Sequence, residues 1–310
     1  MHLDLNALRL ARPDARVTQK PFFVLEIENY LPAELYAHLL QTYPDPSVGG
    51  QHYSMKNYFK SGTPAFEGFL ASSPEWARLI RYMDSDEFLA HIFDYARPMI
   101  REARGKLGTR RWTRKGKPVD GGPSVSSSGA SKLIDMLRFT EIETGFELSA
   151  MENGHCITAH SDATNKLVSV LLYFPFPDWQ PQWGGGTQFF RPKTLTAERR
   201  WCHPGVNHIK DFGPAGLKQF AEEMECFHTA PFAPNYFTMF CKSTNTFHAV
   251  DTIACPPDRR RNCLVFNVYA KEPDSALVRK GVELVRKGKT WVRTRGGQQL
   301  RPVSSGGGYD

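Results

Sequence analysis

The chain has 310 residues, 41% of them hydrophobic and 23% charged, with a formal net charge of +7. That length buries a sizeable core in one large domain or two small ones, and the composition excludes disordered and fibrous classes. The longest clean apolar run, residues 167–176, is about half of what a membrane span needs, and the N-terminus carries Asp4 and no apolar leader-type stretch.

The stretch PFFVLEIENYLPAELYAHLLQTYPD begins as a strand over residues 22–27 and turns at Asn29. It continues as a helix with Pro32 in the first turn and Leu35, Leu39 and Leu40 on one face. SSPEWARLIRYMDSDEFLAHIFDYARPMI predicts two more amphipathic helices. Ser73 caps the first, ahead of Pro74, and Ser85 or Asp86 starts the second. Residues 113–131 collapse to Gly, Ser, Pro and Lys, the composition of a flexible loop. Short strand-like runs then follow at 133–143, 147–151, 156–162, 167–174, 187–190, 236–241, 246–250 and 263–269. Gly and Pro punctuate them in the manner of a β-sandwich or barrel.

The gap from Arg191 to Asn235 is long for a loop and holds a helical stretch over 215–227, which reads as an insertion of lid type. The reading is one domain, 1–310. It comprises an N-terminal strand with supporting helices (1–112), a flexible loop (113–131), a β core (132–270) interrupted by the insertion 191–235, and a basic C-terminal tail (271–310).

Six cysteines (156, 202, 226, 241, 255 and 263) show no CxxC spacing, which reads as reduced thiols in a cytoplasmic protein. Cys202, His203, His208, Cys226 and His228 crowd the insertion. Their spacing fits no common zinc pattern, so separate structural roles are expected of them. Trp179 and Trp183 suit either stacking on a ligand or packing, and GGGTQFF lacks the lysine and following helix of a phosphate loop. Eight Lys/Arg lie between Arg101 and Lys117 and eight more between Arg279 and Arg301. They read either as solvated surface or as a footprint for an anionic partner, such as a membrane surface or glycolipid. No helix-turn-helix or RNA-binding signature accompanies them, which argues against nucleic acid.

The segment ITAHSDATNKLVSVLLYF carries the chemistry. On an extended backbone His160 and Asp162 project from one side, and an imidazole and a carboxylate aimed at one point suggest a metal. His248, in NTFHAV, is the candidate third ligand, and two histidines with one carboxylate make the facial triad of non-haem Fe(II) oxygenases. In RRRNCLVFNVY, Arg261 shares strand parity with Cys263, Val265 and Asn267, while Tyr173 shares parity with Leu171 and Ser169. A guanidinium fork and a phenol inside one barrel would cradle a carboxylate, with Arg259 and Arg260 as neighbouring alternatives.

Taken in order, MENGHCITAHSD, GGGTQFF, MFCKSTNTFHAV and RNCL resemble the Fe(II)/2-oxoglutarate-dependent oxygenases, in their prolyl 4-hydroxylase-like branch. The resemblance spans residues 133–269. It implies an α+β, mainly β fold: a double-stranded β-helix (a jelly-roll or cupin-like barrel) with N-terminal helices packed against it. It further implies that His160, Asp162 and His248 bind Fe(II), and that Arg261 and Tyr173 hold the distal carboxylate of 2-oxoglutarate. O2 would be the second cosubstrate, with ascorbate stimulatory. Met151 stands where that branch often has tyrosine.

The activity implied is hydroxylation of an unactivated C–H, with succinate and CO2 as coproducts. The basic flanks favour an anionic, surface-presented substrate such as the 3-deoxy-octulosonic acid of lipopolysaccharide, met from the cytoplasm at the inner face of the membrane. A peptidyl substrate of prolyl type and a free amino acid or natural product are the alternatives. A barrel that binds without turnover is the rival from another class.

Overall fold

Two apolar strands through the middle of the chain dictate the architecture. KLVSVLLY and RNCLVFNVYA carry buried side chains on both faces, which an antiparallel strand does only when layers cover it on either side. The computed structural model describes residues 8–53, 55–104, 111–115, 117–119, 139–203 and 205–271. The tail beyond Lys271, most of the Gly/Ser-rich loop and the second basic segment lie outside them.

The N-terminal part holds strands β1 (Arg16–Thr18) and β2 (Val24–Ile27), helix α1 (Ala33–Gln41), and strands β3 (Gln51–Tyr53) and β4 (Lys56–Lys60). Helices α2 (Pro64–Ser72), α3 (Pro74–Met83) and α4 (Asp86–Arg104) follow, then a small hairpin of β5 (Arg111–Arg114) and β6 (Lys117–Pro118). The β core comprises β7 (Phe139–Met151), β8 (Ile157–His160), β9 (Lys166–Tyr173), β10 (Thr187–Pro192), β11 (Met224–Ala230), β12 (Phe237–Cys241), β13 (Phe247–Val250) and β14 (Arg261–Ala270). Helices α5 (Leu195–Trp201) and α6 (Gly213–Glu223) sit between β10 and β11.

The larger sheet runs β1-β2-β12-β9-β14-β7-β4-β3, with β5 beside β7, and the smaller runs β11-β10-β13-β8. From β7 onward the chain switches sheets at every connection except β10 to β11. The four central strands β12-β9-β14-β7 therefore face β11-β10-β13-β8, the topology of the expected double-stranded β-helix. Val24, Leu171, Tyr173, Phe240 and Cys263 from the larger sheet meet Phe189 and Ala230 from the smaller in one inner cluster.

The outer face of the larger sheet is covered by the N-terminal helices. Leu35, Leu39, Trp76, Leu79, Phe88 and Ile92 pack on Val168, Val170, Leu172, Leu264 and Phe266. Ser73 stands at the N-cap of α3 but its side chain makes no capping bond, whereas Ser85 Oγ accepts from Phe88 N–H (3.2 Å) at the head of α4.

Three elements differ from the sequence reading. The residues read as a helical stretch over 215–227 split: α6 ends at Glu223, and 224–230 form β11, a core strand within the expected insertion. β11 is the edge of the smaller sheet; it is buried at its two ends and half-exposed or exposed between them, without the alternation that signals a strand. The run 147–151 and the described part of the run 133–143 are one strand, β7, interrupted in the sequence by Gly145, over which the Tyr269 ring lies; residues 133–138 lie outside the described residues. Of the expected loop 113–131, residues 113–114 and 117–118 lie in strands β5 and β6.

The insertion is also not disposed as a lid. Its helices bring Ala197, Trp201 and Phe220 onto Ala159, Phe247 and Ala249, the outer face of the smaller sheet. Phe247, fully buried between His248 and this layer, anchors the strand that bears a candidate ligand. Phe247→Ala is expected to cost about 3–5 kcal/mol. Urea unfolding should show it as a lowered midpoint with an unchanged slope, and a loss under about 1 kcal/mol would mean that α6 does not anchor the sheet.

Candidate metal centre

β13 and β8 pair so that His248 lies directly opposite His160. Residues opposed in this way send their side chains to the same face, here the inner one. Both histidines orient their rings alike: Nδ1 of His160 lies 3.0 Å from the Thr158 carbonyl, and Nδ1 of His248 lies 3.0 Å from that of Thr246. A carbonyl only accepts, so each Nδ1 carries the proton and each Nε2 is left with a lone pair for a metal.

Asp162 completes the set by a route the strand-parity reading did not contain. β8 ends at His160, and Asp162 turns the chain at φ +66°, a left-handed conformation that aspartate tolerates better than most residues. The carboxylate thereby faces both rings. His160 Nε2 is 3.6 Å from Oδ1, and His248 Nε2 is 3.6 Å from Oδ2. One ligand atom from each of the three residues falls within 4.8 Å of the others. A metal with bonds of about 2.1 Å at right angles needs its donors about 3 Å apart, so a small closure completes a facial triad.

Electrostatics suit the same purpose. Burial, with His160 beside it, lowers the His248 pKa to about 3, so this imidazole is neutral and available at neutral pH. Burial alone pushes the Asp162 carboxyl up, but Lys166, His248 and His160 outweigh it and hold the group well below the usual carboxylate range. Lys166 Nζ lies 2.8 Å from Oδ1, and Ser169 Oγ lies 3.4 Å from Oδ2. Between the two ligands, Ser161 points away. Its N–H donates to Asn207 O (2.8 Å), its hydroxyl donates to Val206 O (3.0 Å), and it accepts from Lys242 Nζ (2.9 Å).

Arg261 and Tyr173 lie on the inner face further along the barrel. Arg261 is buried, and its Nε donates to Gly185 O (2.6 Å). Nη2 is 3.4 Å from Thr187 Oγ1, and the Tyr173 and Phe232 rings flank the guanidinium at 5.2 and 5.4 Å. Among the described residues its hydrogen bonds reach a carbonyl and a hydroxyl but no carboxylate. Its neighbours are already matched, Arg259 with Asp178 (2.9 Å) and Arg260 with Asp45 (2.7 Å).

Tyr173 Oη is 2.7 Å from Thr187 Oγ1, and burial pushes its pKa up to about 12, so it is a neutral hydroxyl. Thr187 pairs with Val250, two residues beyond His248, which sets this cradle roughly 7 Å along the strand from the triad. Glycine is required here. Gly185 has φ +96°, and a Cβ on it would come within 3.0 Å of Phe232, while one on Gly186 would meet Ala230 O at 2.9 Å. Met151 pairs with Arg261 and is buried in an apolar cluster.

The Cys/His group of the insertion does not gather. His228 pairs with Glu26 (2.8 Å), and Cys226 lies on the surface against Thr229. His208 bridges β8 opposite His160, their rings parallel at 5.6 Å. Among the described residues the triad is the one group of three candidate ligands that converges, and the cysteines are free thiols. Three contributors to the site were not singled out from the sequence. His208 was grouped with the zinc candidates, Lys166 stands four residues after Asp162, and Thr187 lies within GGGTQFF.

No protein-family model matches the chain, and no curated sequence matches it. Solved structures do, at low identity. A prolyl hydroxylase from Trichoplax adhaerens, in complex with a peptide fragment of the hypoxia inducible factor oxygen degradation domain, is 12% identical with a TM-score of 0.37. The match covers 80% of this chain and 83% of that one. A Pseudomonas putida prolyl-4-hydroxylase is 12% identical with a TM-score of 0.38, over 80% and 93%. SnoN, the non-heme alpha ketoglutarate dependent epimerase from nogalamycin biosynthesis, is 12% identical with a TM-score of 0.39, over 91% of each chain. At TM-scores below 0.5, the class rests on this chain's own strand order and on its intact His-x-Asp…His triad, the donor set of a non-haem Fe(II) centre.

Two outcomes are expected. The metal-free chain should take up about one Co(II), and His160→Ala, Asp162→Ala or His248→Ala should each abolish uptake in calorimetry. The folded His248 pKa lies below its ordinary 6.5, so its contribution to stability is full above pH 6.5 and is lost as pH falls from there toward 3. His203 and His208, also lowered by burial, act in the same direction, whereas Asp162 contributes above pH 3.8 and is lost only below it. The melting temperature of the metal-free chain should therefore fall between pH 7 and pH 5, and His248→Asn should flatten that fall. An unchanged slope would place the acid-sensitive group elsewhere.

Proposed function

We propose that this chain is an Fe(II)- and 2-oxoglutarate-dependent dioxygenase that hydroxylates an unactivated C–H bond. The convergence of His160, Asp162 and His248, with both Nε2 atoms turned toward the carboxylate, carries this reading. Among the described residues the buried guanidinium of Arg261 meets no carboxylate, which supports the choice of cosubstrate. A buried cation without an anion is costly, and a dicarboxylate reaching from the triad would neutralise it.

When bound, Fe(II) would let O2, the oxidant, take two electrons from 2-oxoglutarate, giving succinate and CO2, and two from the substrate C–H, giving the alcohol. The chain's own residues do the rest. The two imidazoles and Asp162 would hold the metal and leave coordination positions free for the cosubstrate and O2. Arg261 binds the far carboxylate through its fork, while Tyr173 and Thr187 add hydroxyls. Phe189, Phe240 and Phe232 line the barrel and keep water out. Met151 offers an apolar contact where the related branch often has a phenol.

The substrate follows from charge rather than from the barrel. The sixteen Lys/Arg of residues 101–117 and 279–301 favour an anionic, surface-presented substrate, such as an acidic sugar of lipopolysaccharide, met at a cytoplasmic membrane face. Among the described residues no helix is long and apolar enough to cross a membrane, so attachment would be peripheral.

Succinate release from 2-oxoglutarate is the test of the activity, and its absence with Fe(II) and O2 present would sink the reading. Arg261→Ala should weaken 2-oxoglutarate binding at least tenfold, since losing a buried charged partner costs on the order of 2–5 kcal/mol. Arg260→Ala should leave binding unchanged, and the reverse result would move the cradle by one residue. Binding to anionic vesicles should fall steeply with salt, because each charge near such a surface is worth about 1 kcal/mol. No binding at low salt would point to a soluble substrate instead.

A further inference from the structure

The two oxygens of Asp162 are not equivalent. Each oxygen faces one imidazole at 3.6 Å, Oδ1 that of His160 and Oδ2 that of His248, but Oδ1 also takes Lys166 Nζ at 2.8 Å, whereas Oδ2 has a neutral donor, the Ser169 hydroxyl, 3.4 Å away. Lys166 opens β9, a rigid central strand, while Asp162 stands on the left-handed turn that precedes it. The Lys166 N–H closes that turn on Ala163 O (3.1 Å). The lysine side chain is only 14% exposed, and its ammonium also lies 5.9 Å from the centroid of the Tyr269 ring. An ammonium has three donors and no acceptor, and a charge-assisted bond to one carboxylate oxygen is stronger than a neutral one.

We propose that Lys166 is a positioning residue that reserves Oδ1, so that Asp162 meets the metal through Oδ2 alone. This rests on the reading above that the triad holds a metal. A carboxylate free at both oxygens can chelate, and a chelating Asp162 would occupy one of the open positions that a 2-oxo acid needs. Lys166 opposes the metal by its charge and favours the cosubstrate by keeping that position free. An ion pair that merely stiffened the turn would help both ligands alike. The two roles therefore differ in the sign of their effect on metal binding.

Calorimetric titration with Co(II), and then with 2-oxoglutarate on the Co(II) form, separates them. In Lys166→Met, Co(II) should bind more tightly and 2-oxoglutarate more weakly. Each should change by about tenfold, the scale on which outer-shell partners act. The visible absorption of bound Co(II) should shift with the added oxygen, and Lys166→Arg should restore wild-type behaviour. If Lys166→Met does not fold, Lys166→Gln keeps a donor without the charge and should show the same divergence in smaller measure. Arg191→Met, which breaks the exposed Arg191–Glu225 pair between β10 and β11, controls for the loss of an ion pair and should move neither affinity.

Weakening of both ligands, or no change in either, overturns the proposal while the metal reading stands. A wild-type chain that binds no Co(II) overturns the metal reading, and this one with it.

Discussion

The direct pairing of His160 with His248 across β8 and β13 is the constraint on which the site depends. Two side chains opposed on neighbouring antiparallel strands are held close by the backbone ladder before any metal arrives. The carbonyls of Thr158 and Thr246, each two residues upstream on its own strand, then set the tautomers. The geometry is thus paid for by sheet formation rather than by metal binding. Only the third candidate ligand, on a turn, needs a separate support, and Lys166 and Ser169 give it.

Buried charge separates structure from site in this barrel. Glu26 is buried on the inner face of β2, yet one oxygen is 2.8 Å from His228 Nε2 and the other accepts from the Tyr236 hydroxyl at 2.9 Å. It is satisfied within the chain and ties β2 to β11 and to the segment leading into β12. Arg261 has the faces of two rings and two neutral acceptors, which hold a guanidinium in place without neutralising it. Removing an ion from water costs several kcal/mol unless a partner compensates. The contrast between these two residues, equally buried, is between a charge answered by partners of the fold and one that meets no carboxylate among the described residues.

What could be read in the sequence was what strands impose on their own residues. The apolar runs of β9 and β14 announced central strands, and the period of two placed Arg261 on the face shared with Cys263 and Tyr173. The helix α2 is equally legible from its own residues. Thr63 Oγ1 accepts from Phe66 N–H (3.4 Å) with Pro64 at the first position, a signal present in TPAF. β11 was not legible, because an edge strand half-covered by another layer shows weak alternation. Neither was the Asp162–Lys166 contact. It depends on one residue adopting a positive φ, and strand periodicity says nothing beyond the strand's end.

The crossing of residues 206–208 beside β8 has a consequence for how the molecule meets other copies of itself. β8 is the outermost strand of the smaller sheet, and an uncovered strand edge is a template for intermolecular pairing. Here the Ser161 N–H bonds Asn207 O, and His208 bridges to His160, so part of the edge is occupied by the chain's own backbone. The segment that brings a third imidazole beside the triad thus also acts as a selvedge. It keeps the sheet from knitting onto a neighbour at the point where the ligand-bearing strand would otherwise lie open.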